Sequence, residues 1–201
     1  MFLNKPGFMK KVLFSLIPLF VFLAISCHTK TRKAEIVNEQ KWMSEGDSLA
    51  ARTFDTLRNT LLRTISEKGF AGAVSFCNTE ALRLTNTYRE EGITIKRTSE
   101  KFRNRANAPD KMEQEIITGY IQARIKKQEL KPVLKKDEAG NQHYFKPILL
   151  QAMCLNCHGE KLTQIKPDTW EVIRQHYPAD SAFNYKEGDL RGIWHVIFSK
   201  N

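Results

Sequence analysis

The segment PVLKKDEAGNQHYFKPIL, residues 132–149, predicts a β-hairpin. Its two arms, Pro132 to Lys136 and Gln142 to Leu149, contain short apolar runs, and the polar, Gly-containing stretch Asp137 to Asn141 separates them. Apolar runs on either side of such a stretch are typical of two antiparallel strands joined by a short loop. We therefore predict an antiparallel sheet in the C-terminal half of the chain.

Two further segments are predicted to be strands. Leu190 to Phe198 (LRGIWHVIF) is rich in β-branched and aromatic residues, and Ile93 to Arg97 is a shorter run of the same kind after Gly92. The residues from Thr98 to Ala108 show no apolar periodicity, which indicates a loop. The sheet is thus expected to combine distant segments of the chain.

The N-terminal half has the pattern of helices. Apolar residues recur near a 3.6-residue period from about Ala34 to Ser66, and a second helix is predicted from Phe70 to Glu90, after an interruption at Gly69 and Gly72. Asp110, followed by Glu113, is the predicted N-cap of another helix, and Trp170 to His176 is expected to form a short one. Helices first and antiparallel strands later predict an α+β fold, with the N-terminal helices packed on the sheet.

The N-terminus has the features of an export signal. Lys5, Lys10 and Lys11 precede an apolar stretch, Val12 to Ile25. Leu23-Ala24-Ile25-Ser26-Cys27 is similar to a lipoprotein cleavage box, with Cys27 as the lipidated residue; an uncleaved anchor helix is the alternative. We expect a signal peptide at 1–27, a tether with the start of the first helix at 28–49, and a folded domain at 50–201.

This organisation predicts a lipoprotein of the bacterial cell envelope that faces the periplasm, on either the inner or the outer membrane. The chain has 201 residues, 41% of them hydrophobic, which suits one globular domain. Its formal net charge is +10, but the basic residues are spread along the chain. Nucleic acid is therefore not an expected partner, and a basic surface near anionic lipid explains the charge more simply.

Cys154-Leu155-Asn156-Cys157-His158 has the C-x-x-C-H form of c-type haem attachment. Two thiols spaced in this way can form thioethers with the porphyrin, and the next imidazole can ligate the iron. A redox pair and half of a zinc site are the alternatives. A zinc site needs a second pair of ligands, and the chain has no other paired cysteines among its four. We therefore predict one covalent haem c, with Cys154 and Cys157 attached and His158 as the proximal axial ligand.

The local pattern leaves the second axial ligand open. Cys77 lies on the apolar face of a predicted helix, near its start, where the helix dipole is expected to favour a thiolate. It is either a ligand or a small buried residue. Met153 is too close to the attachment turn to serve. The remaining candidates are histidines that are expected to lie in a strand or at the surface: His143, His176 and His195.

Four motifs occur in order along the chain: Ala73 to Cys77, Arg97 to Ser99 with Arg103 to Asp110, Cys154 to Gly159, and Tyr185 with Gly188 to Gly192. In these motifs the chain resembles a family of exported haem-c proteins that have a PAS-like fold and mixed Cys/His axial ligation. The resemblance covers residues 50–199. It implies a PAS-like sheet with one covalent haem c, and it implies that Cys77 is the distal ligand.

Three arginines are candidates for contact with the haem propionates or the distal side: Arg97, Arg103 and Arg105. A solvated basic loop is the alternative. Asp189 and Arg191 are instead expected to fix the turn before the last strand.

The resemblance and the ligand set together predict a low-potential redox or gas sensor without catalytic turnover. Its partners would be haem, a diatomic gas or a redox partner protein, and a membrane through the N-terminal lipid. An electron-transfer cytochrome c is the alternative. A third possibility is a structural or assembly lipoprotein that haem stabilises.

Overall fold

The computed structural model describes residues 1, 17–85 and 92–200. Met1–Lys41 and Trp42–Asn201 are two separate units. Most of the predicted signal peptide lies outside the described residues, and of Cys27 only the helical backbone is described. No helix in the described ranges is both long and apolar enough to cross a membrane.

The first helix, α1, spans Ile17–Thr85 and is interrupted at Gly69. Gly69 has φ 68° and ψ −178°, a combination that glycine adopts without steric cost. The predicted break between two N-terminal helices is therefore confirmed at Gly69.

Four antiparallel strands form one sheet in the order β1-β4-β3-β2. Their bounds are Ile93–Thr98 for β1, Val133–Lys136 for β2, Gln142–Leu149 for β3 and Leu190–Phe198 for β4. The hairpin predicted around residues 137–141 is β2–β3, with Val133 opposite Phe145. The α+β prediction is confirmed.

One face of the sheet packs against the Trp42–Thr85 part of α1. Leu49 and Ala50 join a buried cluster with residues from three strands: Ile95, Tyr144, Trp194, Val196 and Phe198. Gly46 allows this approach, because a Cβ there would lie 2.3 Å from Cγ of Tyr144. Alternate residues of β4 therefore point towards α1, as the two-residue period of a strand requires.

Helix α2, Lys111–Ile125, covers the other face through Ile116, Ile117 and Tyr120, which contact Phe145 and Ile193. Asp110 caps it and forms the predicted capping box with Glu113. The remaining helices are α3, Leu155–His158, and α4, Pro167–His176. Short 3-10 turns occur at Arg105–Asn107 and Ala152–Cys154.

Candidate haem-binding site

The C-x-x-C-H motif lies on a compact helical turn directly after β3. The 3-10 turn Ala152–Cys154 leads into α3, which contains Cys157 and His158. Leu150 anchors the turn in a small cluster with Ala182 and Tyr185, against which Cys154 and Leu155 pack. The geometry of the turn is thus set by burial of its flanking residue.

A cavity of about 280 Å³ lies beside this turn, near the lower end of the size range of ligand pockets, about 300 Å³. Both cysteines of the motif and His158 line it, and so does Cys77 from α1. Most of the other lining side chains are apolar, among them Phe54, Leu61, Ile65, Phe70, Val74, Phe102, Ile148 and Trp194. The tertiary structure thus brings Cys77 to the same cavity as the attachment motif.

The imidazole of His158 is held in one tautomer. Its Nδ1 donates to the carbonyl of Ala182 at 2.7 Å, which leaves Nε2 as the free ligating nitrogen. Burial, together with the positive charges of Arg191 and Arg103, holds the pKa of His158 well below its usual value. A neutral imidazole with a fixed orientation is the form that ligates a metal.

Arg103 and Asp180 form a largely buried ion pair beside the motif. The Arg103 guanidinium lies 3.1 Å from the Asp180 carboxylate and donates to the carbonyl of Cys157 at 2.5 Å. The same carboxylate accepts from the backbone N–H of Ala182, whose carbonyl holds His158. This arrangement, the Arg103–Asp180 clasp, connects Cys157 directly, and His158 through Ala182, to one ion pair.

Cys77 is partly buried and lies about two turns beyond the break at Gly69. The stabilising effect of a helix N-terminus is confined to the first turn, so the expectation that the helix start favours a Cys77 thiolate is wrong. Burial instead raises the pKa of the Cys77 thiol, and the charges of Arg97 and Arg103 oppose that rise. Those two arginines supply the positive potential beside the sulfur.

Arg97 and Arg191 also line the cavity, whereas Arg105 is exposed and does not. Nε of Arg97 is buried and has no hydrogen-bond partner among the described residues. Arg191 donates to the carbonyl of Lys101 at 3.1 Å. Burial lowers the pKa of both Arg97 and Arg191, so an anionic ligand would stabilise their charged forms.

Arg191 is the cavity residue that the sequence did not identify, because its motif was interpreted as a turn. The available signal was its position one residue after the start of β4, on a strand that also contributes Gly192 and Trp194 to the cavity. A charged residue within a buried strand is uncommon without a partner.

The structure places the histidine candidates away from the cavity. His143 and His195 are buried and contact each other. His176 is exposed and shares a 3.1 Å hydrogen bond with the Ser75 hydroxyl. Met153 does line the cavity, adjacent in sequence to the attachment cysteines. Of the four alternative axial ligands, the cavity therefore contains only Met153.

The cavity has the donor set that a c-type haem requires. Two free thiols and a neutral imidazole lie on one turn, a third thiol faces the same space, and the walls are apolar. The unpartnered Nε of Arg97 is a donor suited to a carboxylate such as a propionate. The residues present therefore fit this group.

Comparison with known proteins gives one family and one solved structure. No curated protein matches the chain. The crystal structure of the cyanobacterial heme-protein Tll0287 is similar in fold, with a TM-score of 0.58 and 22% identity over 78% of this chain and 96% of that one. The family model described as Tll0287-like matches residues 29–199. The chain therefore belongs to the Tll0287-like family.

Proposed function

We propose that the chain is a c-type haem protein of the cell envelope that acts as a low-potential redox or gas sensor. One observation carries the haem assignment: Cys154, Cys157, His158 and Cys77 line a single cavity. Membership of a family whose solved structure is titled a heme-protein supports it.

Each residue has a distinct role in this proposal. Cys154 and Cys157 attach the porphyrin, His158 is the proximal ligand, and Cys77 is the distal ligand. When bound, the haem iron supplies one-electron transfer and can take a diatomic gas wherever an axial position is free. Arg97 and Arg191 neutralise the propionates.

The two axial ligands are held differently, which favours sensing. His158 is fixed by its hydrogen bond to Ala182, and the Arg103–Asp180 clasp fixes Ala182 in turn. Cys77 forms no disulfide among the described residues, and burial raises the pKa of its thiol, which favours the neutral form that ligates a metal weakly. We infer that Cys77 is the exchangeable ligand and His158 the permanent one, so that a change at the iron is read out through α1.

Absorption and EPR spectra of the haem-loaded protein test the ligand set. Wild type, Cys77→Ala and Val74→Ala are compared in the ferric and ferrous states. Val74 is the matched control, because it lines the same cavity from α1 one turn before Cys77. We expect a low-spin thiolate signature in wild type and Val74→Ala and its loss in Cys77→Ala. A Cys77→Ala spectrum identical to wild type would refute the distal assignment.

The reduced protein separates sensing from electron transfer. Binding of CO to reduced wild type, with release of Cys77, supports a gas sensor. A reduced protein that keeps its ferric ligand set and refuses CO supports an electron-transfer cytochrome instead. Haem that stays with the chain after denaturation, but is lost from a Cys154→Ser, Cys157→Ser double variant, establishes covalent attachment.

A further inference from the structure

A second polar cluster lies on the opposite face of the sheet from α1, between β3, β4 and α2. It is a chain of three hydrogen bonds that we name the histidine chain. Asp137 Oδ2 lies 3.2 Å from His143 Nε2, His143 Nδ1 lies 2.9 Å from His195 Nε2, and His195 Nδ1 lies 2.7 Å from Glu113 Oε1. The proposed haem chemistry uses none of these four residues.

Both ends of the histidine chain are ionised carboxylates. Burial disfavours the charged form of Glu113, but hydrogen bonds from His195, Lys96 and the Asp110 N–H outweigh this effect and hold its pKa at about 2. Hydrogen bonds from Asn141 and His143 lower the pKa of Asp137 to about 2. An ionised carboxylate accepts hydrogen bonds and donates none.

The number of hydrogens along the histidine chain then gives the total charge of its two imidazole rings. The two carboxylates at the ends accept hydrogen bonds only, so the three hydrogen bonds of the histidine chain need three N–H groups from the two rings. Two neutral imidazoles together have only two N–H groups. If both rings were neutral, one of the three contacts would lack a hydrogen: either two lone pairs would face each other across the 2.9 Å gap between the rings, or a bare ring nitrogen would face a carboxylate. We propose that the His143–His195 pair holds one proton more than two neutral imidazoles and acts as a proton-dependent link between the β2–β3 turn and the α2 N-terminus.

The surrounding charges match this assignment. Lys96 of β1 contacts Glu113 at 2.7 Å and Asp110 at 3.5 Å. Lys135 of β2, opposite His143, is directed to Glu115 at 3.6 Å. Lys96 thus compensates the buried Glu113, as a buried charge requires, and the imidazolium compensates the partly exposed Asp137.

The position of the extra proton follows from burial. His195 is 1% exposed and stacks on Phe145 with ring centroids 4.2 Å apart, and burial lowers its pKa. Lys96 already compensates Glu113, so we place the extra charge on the other ring, beside Asp137. When the proton leaves, one link of the histidine chain is lost, and with it this side-chain connection between the β2–β3 turn and α2.

Nitrogen NMR of the full-length, haem-loaded protein with ¹⁵N-labelled histidine tests the proposal. The chain has five histidines, so single variants assign every ring. At pH 7 we expect His143 to carry protons on both ring nitrogens and His195 on Nδ1 alone. The proposal is overturned if both rings of the wild-type protein carry a single proton at this pH. This measurement uses wild type, so it does not depend on the folding of any variant.

Asp137→Asn is the discriminating variant. An amide at position 137 is uncharged, so the doubly protonated ring loses the carboxylate that lies 3.2 Å from Nε2 of His143 and compensates its charge. We expect the doubly protonated ring to disappear and one fewer proton to be released per molecule when the pH is raised. Asp55→Asn, the same change at an exposed position of α1, should leave the spectrum unchanged. If His143 stays doubly protonated in the Asp137→Asn protein, the proposed number of protons on the His143–His195 pair is contradicted. This outcome does not depend on the haem assignment.

Discussion

Arg103 donates a 2.5 Å hydrogen bond to the carbonyl of Cys157, the second cysteine of the attachment motif. The two residues are 54 positions apart in sequence. A loop that is predicted from the absence of apolar periodicity thus supplies the side chain that fixes the turn of the C-x-x-C-H motif.

Asp180→Asn should weaken the clasp and loosen His158. The side chain of Asp180 is 2% exposed, and removal of one partner of a buried ion pair costs about 3 kcal/mol or more. We expect a lower melting temperature and a heterogeneous EPR signal, because the Ala182 carbonyl is no longer held in one position. Glu171→Gln, which breaks the exposed pair with Arg174, is the control and should lower the melting temperature much less, because solvent screens an exposed ion pair. Equal effects of the two changes would argue against the clasp.

The capping and ion-pair role of Glu113 predicts acid destabilisation. Its pKa is about 2 in the folded protein and about 4.3 in an unfolded chain. Because the folded pKa is depressed, the stabilisation is present above pH 4.3 and is lost as the pH falls towards 2, by about 3 kcal/mol in total. Denaturant unfolding should therefore show a steeper decline over this range in wild type than in Glu113→Gln. Parallel pH profiles of the two proteins would contradict this expectation.

Gly46→Ala and Gly119→Ala should have opposite effects on stability. Both glycines lie inside helices, where alanine is favoured by about 1 kcal/mol. A Cβ at Gly46 would lie 2.3 Å from the buried Tyr144 ring, whereas one at Gly119 meets nothing within 4 Å. We expect thermal unfolding to show a loss of roughly 1–3 kcal/mol for Gly46→Ala and a gain for Gly119→Ala. A stabilised Gly46→Ala protein would mean that α1 does not approach the sheet this closely.

Cys27→Ala should abolish attachment to the membrane. If Cys27 is lipidated, cells grown with labelled palmitate should label wild type but not Cys27→Ala, and the variant should move to the soluble fraction. Cys77→Ala, which changes a cysteine of the cavity, should stay labelled. If the Cys27→Ala protein is still labelled, a different residue is the lipidation site. If wild type is not labelled, the result favours an uncleaved anchor helix.

Local sequence determined the secondary structure and the attachment motif. The β2–β3 hairpin, the break at Gly69 and the Asp110–Glu113 capping box depend on residues within a few positions of one another, and all three appear as predicted. The C-x-x-C-H motif is equally local, since its two cysteines and its histidine lie within five consecutive residues. Short-range backbone preferences and hydrogen bonds suffice for these features.

Only the tertiary structure decided which distant side chains share an environment. It brought Arg191 into the cavity with Cys77, paired Arg103 with Asp180, and joined His143 to His195 across neighbouring strands. These contacts depend on the strand order β1-β4-β3-β2 and on the two faces that α1 and α2 cover. The sequence of one strand determines which of its residues share a face, but it does not determine which strands are its neighbours. Strand pairing decides which side chains line the cavity on one face of the sheet and which two histidines meet on the other.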